Sequence, residues 1–175
     1  KSFVSAQKVS IEAKKKEAYR IVQLVTGTAT TTAGINPIPL SDALLIAPQQ
    51  IVMCMRIAHI FKFDAMGEGV TALLKQQVIS LVGKQLAASL TKFIPVVGNI
   101  INAGVAGTLT FALGATMIEI YSKAYIEYLD NGKLPDWTVV FSAGKLFEIF
   151  SKNKDEYQKT NWGRIMQDIK CNVIL

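Results

Sequence analysis

Apolar residues along this chain recur at three- and four-residue intervals, and no stretch alternates convincingly at every second position. That spacing lays them along one face of an α-helix, whereas a half-buried strand would alternate. Val4, Ile11, Ala18 and Val25 fall seven apart, joined by Ile21 and Val22, and predict a helix over about 4–25. Lys8, Glu12, Lys16 and Arg20 make a charged i,i+4 row on it, with Glu12 preceding Lys16 in the favourable orientation. One face packs and the other is wet. The small-residue run G-T-A-T-T-T-A-G continues this helix to a cap at Gly34. Pro37 and Pro39 then hold the backbone extended, and Ser41 or Asp42 caps a second helix reaching about Phe61. Its stripe is Leu44, Ile51, Met55, Ala58 and Phe61, and Pro48 predicts a kink or short break near Ala47. Asp64 is the candidate cap of a third helix, which uses Val70, Leu73, Leu74, Val78, Leu81 and Leu86 and ends near Lys92.

The next stretch, Phe93–Ile118, contains no charged side chain. A run longer than about 18–20 uncharged residues can cross a bilayer, or it can be the buried axis of a helical bundle. Helical patterning continues through Glu119 to Leu129 and stops at Asp130-Asn131-Gly132. A helix from about Val96 to Leu129 is about 50 Å long. Asn99 and Asn102 in its first turns and the charged continuation favour the buried axis. Gly104, Thr108, Ala112 and Ala115 share a face beside Gly107 and Gly114, a ridge that seats a neighbouring helix.

Pro135 and Asp136 begin a further helix, with Trp137, Val140, Phe141, Gly144 and Phe147 on one stripe and Lys145, Glu148 and Lys152 opposite. Ser151–Lys159 reads as a charged linker, after which Thr160 caps a last helix carrying Trp162, Ile165, Met166 and Ile169. Ile38-Pro39 and Ile94-Pro95 each open an apolar helix, a faint internal echo. The predicted fold is all-α: a single-domain bundle of five to six helices around a long central apolar helix, without a sheet. It takes in 1–175 and ends in a C-terminal helical extension over about 134–175.

A chain of 175 residues, 50% hydrophobic and only 18% charged, can bury a sizeable core without metal or disulfide staples. Its charge is unevenly spread. Lys1, Lys8, Lys14, Lys15, Lys16 and Arg20 face only Glu12 and Glu17 in the first twenty residues, and from Glu119 onward acids and bases balance. A basic first helix suits an acidic partner, so Lys8, Lys14, Lys15, Lys16 and Arg20 are candidate contacts to an anionic lipid or protein surface. The plainer alternative is a solvated face. Interleaved aromatics or Arg-rich readers are missing, which argues against nucleic acid.

Cys54 and Cys171 form no CxxC pair and have no Cys/His ligand spacing, so reduced thiols and a cytoplasmic setting are expected. The basic start leads into a charged helix rather than an apolar signal core. A start at Lys1 without Met suggests a fragment or a processed chain.

Catalytic patterns are weak. Neither Gly83-Lys84 nor Gly144-Lys145 has the neighbours of a phosphate-binding loop, and Gly67-Glu68-Gly69 follows no strand. Asn153-Lys154-Asp155-Glu156 imitates a guanine-reading motif but carries Glu at its last position and reads as a solvated linker. Ser89–Lys92 and Ser142–Lys145 both match S-x-x-K without its partner motifs. His59 is a lone histidine near a helix end, and Asp42 serves as an N-cap or, alternatively, contacts a partner's basic group. No enzyme activity, cofactor or metal is expected.

The early helix A-x-x-V-S-I-E-A-K-K-K-E-A-Y-R-I-V, then A-G-I-N-P-I-P-L-S-D-A-L, K-F-I-P-V-V-G-N-I-I and A-L-G, resemble the YcjF-type domain of unknown function. The resemblance covers about Ser5–Leu129, and the final helices match less clearly. Matching positions are Asn36, Pro37, Pro39, Asp42, Pro95, Val96, Val97 and Gly98, mainly structural. Such domains often follow an Era-like small GTPase domain, are helical and often membrane-associated, and have no established activity. The resemblance therefore implies a non-catalytic accessory domain of a GTP-binding protein, with an upstream GTPase domain in the same chain. A protein or membrane surface would be its partner, at the cytoplasmic inner face of the membrane. The alternative is an integral membrane-inserting helical hairpin built on Ile21–Leu40 and Phe93–Ile118.

Overall fold

The uncharged stretch becomes the axis around which the other helices are arranged. A computed structural model describes the backbone of residues 2–35, 41–63, 66–90 and 98–173, and side-chain surroundings for residue 6 and within 9–29, 47–63, 66–85 and 105–160. It contains α1 (Ser2–Ile35), α2 (Ser41–Ile60), α3 (Glu68–Leu90), α4 (Gly98–Asn131), α5 (Trp137–Val140) and α6 (Ala143–Val173). No strand occurs among the described residues, and the architecture is an all-α bundle. One apolar core joins all six helices.

Helix α4 spans 34 residues, and every residue from Ala112 to Ile118 is buried. Among the described residues one helical stretch is long and apolar enough to cross a membrane, Val105–Asn131, and 78% of its most apolar part is buried against the bundle. Its lipid-like surface is thus consumed by protein. Gly132, at φ +69°, ends the helix by donating its N–H to the Tyr128 carbonyl at 2.8 Å. Glycine adopts this left-handed backbone without the Cβ penalty, so the predicted stop is met.

The largest interface is that of α1 with α4. Lys14 lies against Tyr125, Val22 against Gly114, and Ala29 against Ala106, so the two helices run antiparallel. Ile11, Ala18, Val22, Thr26 and Ala29 are the buried positions of α1 among the described side chains, and Ile21 and Val25 are half-buried. Small residues on both sides bring the axes close, and of the predicted ridge on α4 it is Gly114 that meets Val22. Val4 and Gly104 lie outside the described side chains. Helix α1 runs on to Ile35, so Gly34 falls inside its last turn rather than capping it.

Helix α2 continues through Pro48 without a break. Its core face is rotated from the predicted stripe: Gln50, Met53, Cys54 and Ile57 are fully buried, together with Ala58 and Phe61. Gln50 Nε2 donates to Thr110 Oγ1 at 3.0 Å, tying α2 to α4 inside the core. The end of α2 is a Schellman turn, with Phe63 N–H on the Ala58 carbonyl at 2.9 Å and Lys62 N–H on that of His59 at 3.0 Å. Lys62 occupies the left-handed position at φ 66°. Phe63 then packs edge-on against Trp137, with ring centroids 5.1 Å apart, and beside Tyr121 at 6.0 Å. Trp137 stacks on Phe141 at 5.5 Å, closing this end of the bundle with aromatic rings.

The C-terminal region departs most from the sequence reading. Asp136 caps α5, its Oδ1 accepting from Thr138 N–H at 2.9 Å and from the Thr138 hydroxyl at 2.6 Å. The helix stops after Val140, and the bend at Phe141–Ser142 shifts the register before α6. Leu146 and Phe150 therefore take the core positions, while Gly144 and Phe147 face outward. Ser151–Lys159 is not a linker, and Thr160 is not a cap: α6 is one helix of 31 residues through both. Its charges are compatible with helix, and Ile149, Asn153, Lys154 and Tyr157 continue a half-buried face. Thr160 Oγ1 instead donates back to the Glu156 carbonyl at 3.0 Å. Asp64, Leu86 and the proposed cap of α3, as well as Trp162, Ile165, Met166 and Ile169, have surroundings outside the described residues.

Candidate functional site

The basic residues of α1 divide into inward and outward sets. Lys14 turns inward, where its Nζ donates to the Ile60 carbonyl at the end of α2 and lies 5.1 Å from the Tyr125 ring centre. A helix C-terminus presents unsatisfied carbonyls and negative partial charge, so this ammonium acts as a cap. Burial lowers the Lys14 pKa, and the neighbouring Lys62 charge lowers it further. Lys15 pairs with Glu12 at 3.2 Å and Arg20 with Glu17 at 3.1 Å, both at i,i+3 rather than along the predicted i,i+4 row. Lys16 is exposed, and the side chain of Lys8 lies outside the described set.

The resemblance motif is sparsely represented. Asn36, Pro37, Pro39, Pro95, Val96 and Val97 lie outside the described residues. Asp42 falls in the first turn of α2, with its side-chain surroundings also outside, and Gly98 is the first residue of α4. His59 is exposed in the last turn of α2. Cys54 is wholly buried, and burial pushes its thiol up to about 12, far from reactive thiolate character.

Two concave surfaces stand out among the described residues. The first is a cleft of about 630 Å³ where α1, α4 and α6 meet. Phe111 and Tyr157 stack there at 4.3 Å between ring centres, and Tyr19 tilts against Phe111 at 6.4 Å. Burial raises the Tyr19 pKa, with Glu119 and Glu156 adding to the effect, so the phenol stays neutral. At the margin Asn153 Nδ2 donates to the Ile149 carbonyl at 2.9 Å and reaches Thr116 Oγ1 at 3.4 Å and Glu119 Oε2 at 3.5 Å. Burial alone would raise the Glu119 pKa. The hydrogen bond and charge of Lys123 at 2.8 Å, with Lys152 and Asn153, hold it below its ordinary value. Asn153, read from sequence as part of a solvated linker, is thus a tie between α6 and α4.

The second surface is an apolar groove between α1 and α2, made of two bays of about 530 and 330 Å³ that meet at Val52 and Arg56. Ile21, Val25, Ile51 and Met55 form its half-buried floor. Leu24 and Val52 stand on its crest, 67% and 52% exposed. Arg56 and Lys75 border it; among the described residues neither has an ion-pair partner, whereas the bordering Glu17 is held by Arg20. The two helices run antiparallel here, Thr28 facing the Pro48 end and Glu17 the Ile60 end. Sequence periodicity did not disclose the groove, because Leu24 and Val52 belong to neither predicted stripe. The rotation of α2 turns Val52 outward, and Leu24 lies on the exposed side of α1.

Among the described residues, no group of three or more His, Cys, Asp or Glu could hold a metal ion. Comparison with family models, with curated proteins and with solved structures returns no match.

Proposed function

We propose that this chain is a non-catalytic helical accessory domain of a GTP-binding protein, mediating a partner interaction coupled to an upstream GTPase domain. The observation that carries the interaction role is the α1–α2 groove: large apolar side chains stay in water although the bundle has a filled core elsewhere. Contiguous exposed apolar surface rimmed by polar groups is the usual form of an interaction site. The link to a GTPase rests on the resemblance of the Asn-Pro-Ile-Pro and Ile-Pro-Val-Val-Gly segments. Burial of α4 within the bundle favours this reading over the membrane-inserting hairpin. Engagement of Lys14 with α2 and Tyr125 leaves fewer cations for an anionic lipid surface and favours a protein partner.

Calorimetric titration of the chain with GTP and GDP tests the division of labour. No heat of binding is expected. A micromolar dissociation constant for either nucleotide refutes the accessory role.

A further inference from the structure

We infer that the α1–α2 groove seats an acidic amphipathic helix of about three turns, supplied by a partner protein. The inference deepens the interaction-domain reading and rests on it. Length comes first. The groove follows α2 from Pro48 to Ile60, a rise of about 18 Å, which matches about 12 residues of a docked helix. Its floor is two apolar bays in line, meeting at Val52. A helix projecting apolar residues at i, i+3 or i+4, and i+7 places one anchor in each bay and one at the junction.

Charge selects the sign of the flanks. Arg56 belongs to both bays and Lys75 stands over the larger one, and neither is neutralised among the described residues. The bordering carboxylate, Glu17, is already paired with Arg20 at 3.1 Å. An incoming helix with Glu or Asp beside its apolar stripe meets two available cations, whereas Lys or Arg there meets repulsion. A bare lipid surface suits the site less well, since Ile21, Val25, Ile51 and Met55 lie half-buried between the two helices, below the crest residues Leu24 and Val52.

The test is a phage-displayed library of 18-residue helical peptides with a fixed apolar i, i+3, i+7 stripe and randomised Glu/Lys flanks. Selection against the whole chain is expected to enrich acid-flanked peptides. The best of these should bind at least about tenfold more weakly to Val52→Asp. The double variant Arg56→Glu, Lys75→Glu should turn the preference to Lys-flanked peptides. All three substitutions are at exposed positions, and circular dichroism verifies the fold of each variant. Absence of enrichment overturns the proposal, as does enrichment of basic flanks or binding indifferent to these variants. Vesicles of anionic lipid that bind wild type and Val52→Asp equally place any lipid contact elsewhere. Vesicle binding lost in Val52→Asp, without peptide enrichment, assigns the groove to membrane instead. Nucleotide binding by the chain would defeat the accessory-domain reading while leaving the peptide result standing, so the two failures are distinguishable.

Discussion

Replacing Gly114 by alanine should destabilise the bundle, although alanine is the better helix former. An added Cβ at this position lies 3.1 Å from Val22 Cβ, 2.7 Å from its Cγ1 and closer still to Cγ2. Valine in a helix holds essentially one χ1 rotamer, so Val22 cannot swing its methyl groups away. Relief requires α1 and α4 to part along their largest interface. Overpacking of this kind costs about 1–3 kcal/mol, against a gain of up to about 1 kcal/mol in helix propensity. The net expectation is a loss of about 1–2 kcal/mol. For a chain of this size that lowers Tm by roughly 2–8 °C in a reversible thermal melt. Gly83→Ala is the matched control: exposed in α3, with nothing within 4 Å of its added Cβ, it should gain up to about 1 kcal/mol. Val22→Ala alone opens a cavity, but in the Gly114→Ala background it removes the clash, so the double-mutant cycle should show favourable coupling of about 1 kcal/mol or more. A Gly114→Ala protein melting at or above wild type would refute the close approach of these helices.

Other expectations follow from the same geometry. Lys14→Ala should lower stability by about 1 kcal/mol through lost capping and packing, while Lys16→Ala should stay within about 0.5 kcal/mol in urea titrations. Equal effects would deny the inward role of Lys14. Asp155→Pro, in the middle of α6, should cost about 3 kcal/mol and reduce helical circular dichroism; a silent substitution would restore the linker reading. In a Cys171→Ser background, Cys54 should react with a thiol reagent only as fast as the bundle opens, because its thiol is buried and protonated. Rapid reaction under native conditions would contradict its burial. Glu119 has a folded pKa below its ordinary value, so its contribution is present above the unfolded pKa and fades as pH falls through the folded one. Glu119→Gln should flatten the acid limb of a stability-versus-pH curve, and an unchanged limb would remove Glu119 from it.

The helical class was legible because spacing in the chain is a direct image of helix geometry. The stop at Gly132 and the start after Pro135 were equally plain, since each depends on residues with few conformations. Misreadings arose where tertiary contacts decide. A charged run such as Ser151–Lys159 has the composition of a linker and the propensity of a helix; packing of Asn153 and Tyr157 against α4 resolves that ambiguity. The bend at Phe141–Ser142 moves the core from Phe147 to Leu146, a shift that no fixed period reports. Gln50 looks like a surface residue by type, yet it is buried with its amide nitrogen on Thr110, a partner the sequence does not announce. Of the candidate site, the basic side chains were visible, but not which of them fold inward. The groove was illegible because it is defined by what fails to cover Leu24 and Val52.

The pairing of α1 with α4 also sets a timetable for synthesis. Val22 leaves the ribosome about ninety residues before Gly114, the residue it packs against. At roughly 5–20 residues per second, α1 waits on the order of 5–20 s for its principal partner. During that interval it can find α2 but not the surface that buries most of its stripe. A stripe built around Ala18, Val22 and Ala29 is correspondingly modest in apolar area, and the charged face beside it keeps the nascent helix hydrated. The small residues that let two helices close upon each other in the finished bundle thus also limit what α1 exposes while it is alone.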